Sequence, residues 1–184
     1  PDDRSGAGIR GLQVAVSSLR RMLEPDAGRG EARIIIRDGD NYLLAVDPAH
    51  IDIAVFERHA EAGRRLAEGG GRAAAVPQLR SAMASYRGEL LPEAGPAEWV
   101  VEDRERFRLL AAGCAQSLAE CLLEADDITG AVGACEWGLQ VDRYRDGLWR
   151  TMIAAFERDQ DALAAARARL GYEKILYELD VGSM

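Results

Sequence analysis

Residues 12–25 read LQVAVSSLRRMLEP. Leu12, Val16, Leu19 and Leu23 follow the i, i+4, i+7, i+11 spacing of one helix face. The other side carries Gln13, Ser17, Arg20 and Arg21, and no acid appears before Glu24. The segment predicts a short amphipathic helix over 12–23 with a cationic outer face. Pro25, Gly28 and Gly30 end it.

The charge of this stretch contrasts with that of the whole chain. The protein has 184 residues and a formal net charge of −8. Residues 1–46 hold seven arginines against seven acids, so the whole excess of eight negative charges lies in 47–184. Within the first part, Arg4, Arg10, Arg20 and Arg21 stand in a run, 4–23, with no acid. A basic patch on a neutral segment attracts an anion, whereas the acidic remainder repels non-specific nucleic acid.

Downstream, RIIIRDGDNYLLAV (33–46) predicts two short strands around a turn at Asp38-Gly39. Arg33 and Arg37 flank the first strand. Asp47-Pro48 marks a boundary, and Asp52 is placed to cap the helix that follows. From there the periodicity is helical throughout, with helices expected at 52–68, 73–87, 97–125, 128–141, 146–158 and 161–179. Their connectors are short: GGG at 69–71, GELLPEAGP at 88–96, DD at 126–127 and DRYR at 142–145. The long helix has its apolar stripe at Trp99, Phe107, Leu110, Cys114, Leu118, Cys121, Leu122 and Ala125. Pro77 either marks the first turn of its helix or kinks it.

Helices in pairs with short turns point to a tetratricopeptide-like stack, which leaves a concave surface for a partner. Ala131, Cys135 and Leu139 recur as Ala168, Tyr172 and Leu176, an offset of 37 against the family period of about 34. The fold class expected is thus mainly α: helical repeats over 48–184, preceded by a separate unit over 1–47.

Several chemistries find no support. GGGR at 69–72 follows a helix rather than a strand and lacks the Lys-Ser/Thr ending of a phosphate loop. His59 has no nucleophile or orienting acid at a spacing that suggests catalysis. The acids of VEDRERF (101–107) alternate with arginines, as in a solvated face with i, i+4 pairs such as Glu102–Arg106. Cys114 and Cys121 lie two helical turns apart, about 10 Å of rise, too far for a disulfide, and read as core residues. No catalytic residue, metal site or cofactor is expected. No apolar run is long enough to span a membrane and no leader is evident, so the expected location is cytoplasmic.

A cationic helix, a loop and an arginine-flanked hairpin form the second half of a winged helix-turn-helix, in which a recognition helix lies in the major groove. Read without further context, the helix could equally be an ordinary amphipathic segment with a solvated basic face. LQVAVSSLRRML resembles the recognition helix of OmpR-type winged-helix regulators. IIIRDGDNYLLAV resembles their wing, with DNYLL in place of a Gly-Tyr-Arg-Leu-like end. DPAHIDIAVFERHAEAGRRLAEGG, with Asp52 and Phe56, is similar to the first helix of the bacterial transcriptional activator domain. LRSAMASYRGELLPE, with its Tyr86-Arg87-Gly88 step, EWVVEDRERFRLL and the closing LWRTMIAAFERDQDALAAARARLGYEKILYELDVG resemble the later parts of that domain. The order is that of the SARP-type regulators (Streptomyces antibiotic regulatory proteins).

This resemblance implies binding to double-stranded promoter DNA, activation through RNA polymerase and oligomerisation on DNA. It implies groove contacts by Arg10, Gln13, Ser17, Ser18 and Arg21, with Arg20 on phosphate, and wing contacts by Arg37, Asn41 and Tyr42. Ser18 departs from the basic residue that many relatives carry there. The first helices of the winged domain have no counterpart, so the chain reads as part of a longer regulator. The apolar face of helix 12–23 is then expected to lack its usual cover. The alternative is a helical scaffold or ligand-sensing module that does not bind DNA.

Overall fold

The computed structural model describes residues 3–28 and 30–181, the side chains of 3–7 and 181 excepted. The chain divides into two compact units between Ile51 and Asp52.

The first unit contains α1 (Asp3–Leu23), β1 (Ile35–Asp38), β2 (Asn41–Leu44) and a 3-10 turn at Pro48–His50. α1 begins nine residues before the expected start, continuing through Gly8 and Gly11, where an added Cβ would meet nothing within 4 Å. Glycine costs roughly 1 kcal/mol in a helix interior, a local penalty that the hydrogen-bonded ladder tolerates. β1 and β2 pair antiparallel, Ile35 opposite Leu44 and Asp38 opposite Asn41. The turn is therefore Gly39-Asp40, one residue later than the Asp-Gly signal suggested. Gly39 takes φ +60 while Asp40 keeps negative φ, the arrangement of a hairpin with glycine first. Asp47 caps the 3-10 turn by accepting Ala49 N–H at 2.8 Å.

The apolar face of α1 is largely uncovered within its unit. Val16 is 6% exposed, but Leu12, Leu19 and Leu23 keep 54%, 46% and 49% of their surface.

The second unit comprises α2 (Asp52–Glu68), α3 (Arg72–Ser85), α4 (Glu98–Glu124), α5 (Ile128–Val141), α6 (Asp146–Arg158) and α7 (Ala162–Val181), with a 3-10 turn at Pro92–Ala94. They form antiparallel pairs α2/α3, α4/α5 and α6/α7, and α4 packs on both α2 and α6. In every pair the turn has the same geometry. One residue adopts a left-handed conformation, Gly70, Asp126 or Gln160. The N–H of the following residue then reaches back five residues, Gly71 to Leu66, Asp127 to Leu122 and Asp161 to Phe156, which closes the carbonyl end of the preceding helix. The GGG connector is such a turn.

The last two pairs repeat with a period of 34, not 37. Asp126 and Gln160 are 34 apart, as are the caps Asp127 and Asp161, which accept Gly130 N–H and Ala164 N–H, each at 2.9 Å. Buried residues follow the same step: Cys114 and Leu148, Leu118 and Met152, Cys121 and Ala155, Ala131 and Ala165, Ala134 and Ala168. The offset of 37 matches letters one helical turn out of register, since residues three apart share a helix face.

The core joins these helices through small side chains and an aromatic cluster. Phe56 lies 5.6 Å from Tyr86 and 6.1 Å from Phe107, and Tyr86 meets Trp137 edge-on at 5.9 Å. Cys114, Cys121 and Cys135 are free and buried, so all three are core residues.

Three local expectations are corrected. Trp99 is 70% exposed, and Val100, 1% exposed, takes its place in the α4 stripe. One residue of helix is a rotation of about 100°, so the core face runs Val100, Phe107, Ala111, Cys114 and Leu118. Arg106 pairs not with Glu102 but with Asp103 at 3.3 Å and with Glu57 of α2 at 2.5 Å, because it faces that helix. Pro77 sits in the second turn of α3 rather than its first. The Ala73 carbonyl, which loses that N–H partner, belongs to an exposed residue.

Candidate nucleic-acid interface

α1 divides into three strips at about 100° per residue. Arg10, Gln13, Ser17 and Arg21 fall within about 80° of one another and are exposed. Their hydrogen bonds are local: Ser17 Oγ donates to the Gln13 carbonyl at 2.8 Å, and Arg21 Nε to the Ser17 carbonyl at 3.3 Å. Ser18 is exposed too, but its position lies off this strip, roughly a quarter-turn round the helix from Ser17. Arg4 belongs to α1, and its side chain lies outside the described residues.

The second strip, Val16 and Arg20, faces the hairpin, and Glu24 follows the last turn of the helix. Arg20 is half-buried. Its Nε donates to the Ile35 carbonyl at 2.8 Å and its guanidinium lies 5.8 Å from the Tyr42 ring centre. The Glu24 carboxylate accepts Arg33 N–H at 2.8 Å and Ile34 N–H at 2.9 Å. These two amide bonds, that of Ile34 first, lower the Glu24 pKa. The acid nearest the arginine strip thus spends its charge on the hairpin backbone. The third strip is the exposed apolar one, with Leu12, Leu19 and Leu23.

On the hairpin, Arg37 and Asn41 are exposed and Tyr42 is half-buried under Arg20. Arg37 Nε donates to the Gly39 carbonyl at 2.8 Å, and its guanidinium lies 3.7 Å from Asp40. Of the nine residues singled out from the sequence, Arg10, Gln13, Ser17 and Arg21 come together on one strip. Arg37 and Asn41 stand on the hairpin, Ser18 stands apart, and Arg20 and Tyr42 are engaged in joining helix to hairpin. Glu24 escaped the sequence reading. Its signal was its spacing, i+4 from Arg20 and i+8 from Val16.

In the helical unit, the side chain with the most backbone partners is Arg104, also missed from sequence. It occupies the core register four residues after Val100. Its guanidinium donates to the carbonyls of Leu90 at 2.8 Å, Leu91 at 2.7 Å and Gly95 at 2.6 Å, with Glu89 at 3.1 Å. It holds the 88–96 connector, in which Leu91 adopts a left-handed conformation. Nearby, Arg108 bridges Glu105 at 2.7 Å and the buried Asp142 at 2.9 Å. These arginines are neutralised inside the unit. His59, half-buried, bonds through Nδ1 to Gln78 Oε1 at 2.8 Å.

Residues 51–181 match the model of the bacterial transcriptional activator domain. The chain belongs to that family. The activator domain accounts for the six helices of the second unit, and the family is one of regulators, not of enzymes. The regulatory protein DnrI of Streptomyces peucetius is 36% identical over 84 residues, which cover 44% of this chain and 31% of DnrI. The solved structure of Mycobacterium tuberculosis EmbR in complex with a low affinity phosphopeptide superposes with a TM-score of 0.69 at 22% identity. It covers 97% of this chain and 51% of EmbR, a likeness of fold. The chain thus matches about a third of the length of DnrI and about half that of EmbR. No helix among the described residues is long and apolar enough to cross a membrane.

Proposed function

We propose that the chain is the DNA-reading and activating portion of a SARP-type transcriptional activator. In this reading α1 is a recognition helix and the β1–β2 hairpin a wing. The observation that supports it is the exposed strip Arg10, Gln13, Ser17 and Arg21, with no acid between its ends, on a helix fastened to a hairpin by Arg20 and Glu24. Arginine serves phosphate or guanine, and short polar side chains allow the helix axis to approach base edges. Arg37 and Asn41 on the hairpin are placed for a second backbone contact. The activator domain over 51–181 supplies the protein-binding surface, with RNA polymerase as its target, and oligomerisation occurs on DNA. The division of labour is that of residues 1–47 for DNA and 48–184 for protein.

The test is binding to duplexes selected from a random pool, followed by titration of salt. Specific binding with a negative log–log salt slope, reduced in Arg10→Ala and Arg21→Ala, agrees with the proposal. Absence of duplex binding at low salt would instead favour a helical scaffold or ligand-sensing module.

A further inference from the structure

α7 is the last of the described helices, and it packs on α6 through Ala165, Ala168, Tyr172 and Ile175. Tyr172 stacks on Trp149 at 6.3 Å, and Ala165, Ala168 and Ile175 are 2%, 6% and 7% exposed. The opposite side of α7 carries Leu163, Leu170 and Tyr177, which are 62%, 66% and 70% exposed. They recur every seven residues and form a straight stripe about 21 Å long. The 34-residue repeat supplies a control within the same molecule. Thr129 and Glu136 of α5 occupy the positions equivalent to Leu163 and Leu170, and both are exposed polar residues. The stack itself therefore does not require apolar side chains at these places.

Charge decides what the stripe accepts. Arg167 and Lys174 border one side of it, each four residues on from a leucine of the stripe, and the exposed Glu173 borders the other, three residues on from Leu170. The ion pairs of α7 run from Arg169 to Glu157 and from Glu178 to Arg143, and among the described residues Arg167 and Lys174 form none. A second copy is disfavoured. Antiparallel pairing about the stripe sets Arg167 against Lys174, and parallel pairing sets Glu173 against Glu173, like charges in both cases. We propose that the outer face of α7 docks an amphipathic helix of another protein, with a heptad apolar seam and an acidic flank on the side of Arg167 and Lys174. Leu163, Leu170 and Tyr177 pack into that seam, and Arg167 and Lys174 pair with its flanking carboxylates.

The probe is an acetylated, fluorescein-labelled peptide of three heptads, with leucine at the two seam positions, glutamate on one flank and glutamine on the other. Its own like charges oppose self-pairing. Lys174 is the single lysine of the chain, so zero-length carbodiimide coupling followed by mass spectrometry reports the contact directly. The expected result is saturable anisotropy, a cross-link at Lys174, and at least a tenfold loss of affinity in the double variant Leu163→Ala/Leu170→Ala with unchanged circular dichroism. Leu12→Ala/Leu19→Ala, in the exposed apolar strip of α1, leaves affinity unchanged. Four results overturn the proposal: no binding; equal binding of a peptide with lysine in place of its glutamates; affinity lost in the α1 variant and kept in the α7 variant; or a chain dimer in sedimentation that the α7 variant abolishes.

Discussion

The Glu24 carboxylate accepts the Ile34 backbone N–H at 2.9 Å and so clamps the end of α1 to the residue before β1. Its pKa is lowered from 4.5 chiefly by this bond and by that of Arg33. The sign follows from linkage. A carboxyl with a depressed folded pKa contributes stability above its ordinary value, and the contribution is lost as pH falls through the folded value. Amide exchange at Arg33 and Ile34 is therefore protected at pH 7 and loses that protection below about pH 4.5. Glu24→Gln removes the charge, lowers protection at neutral pH and abolishes this pH dependence. Unchanged exchange in the variant would show that the clamp is dispensable.

Arg20 and Arg21 are neighbours with different tasks, and single alanine substitutions separate them. Arg21→Ala lowers affinity for selected duplexes and reduces the salt slope by about 1 if it contacts phosphate, or relaxes one base position if it reads guanine. Arg20→Ala removes the bond to the Ile35 carbonyl and the contact over Tyr42. Its effect appears in the free protein, as faster amide exchange in the hairpin, before any DNA is added. Equal behaviour of the two variants in both assays would refute the distinction.

Much of this arrangement was legible in the sequence, for identifiable reasons. The helices of the second unit follow their apolar periodicity, and α5 and α6 match the expected ranges residue for residue, because Asp142 and Asp146 punctuate them sharply. The arginine strip of α1 was readable for the same reason. What escaped depends on bonds to the backbone. Arg104 looks like any surface arginine until the 88–96 connector folds over it, and no spacing announces the bond from Arg20 to the Ile35 carbonyl. The left-handed turn residues Asp126 and Gln160 carry no glycine signal, so the period of 34 emerged only from geometry.

Arg104 is the second place where a side chain replaces secondary structure. Its three carbonyl bonds and the contact with Glu89 hold a connector that has little regular structure of its own. Arg104→Ala leaves these carbonyls without their donor and costs about 2–3 kcal/mol, a fall in melting temperature of roughly 5–10 °C. Arg104→Lys recovers a minor part, since one ammonium cannot match a planar fork aimed at three acceptors. A melting temperature within 1–2 °C of the parent for Arg104→Ala would remove the residue from this role.

The buried thiols offer a probe of the helical unit. Burial pushes Cys114 and Cys135 up to about 12, and raises Cys121 as well. Thiolate is the reactive form, so at pH 8 the native protein reacts slowly with a disulfide reagent, and all three cysteines react quickly in denaturant. Fast reaction of one thiol in the native protein would reveal local opening of α4 or α5.

Glycines of α5 give the sharpest test of packing. A Cβ at Gly138 would stand 2.7 Å from Leu148 Cδ1 and 2.8 Å from Ala115 Cβ, so the close approach of α5 to α4 and α6 requires its absence. Gly138→Ala forces these helices apart and costs about 1–3 kcal/mol. Gly133, in the same helix, is exposed, and an added Cβ would meet nothing within 4 Å. Gly133→Ala stabilises by about 0.5–1 kcal/mol, because alanine loses less backbone entropy on forming helix. Chemical denaturation of the two variants should move the midpoint in opposite directions at constant slope. Destabilisation by both would mean that α5 is disturbed by any added methyl, and that its contacts with Ala115 and Leu148 are not what demands glycine at 138.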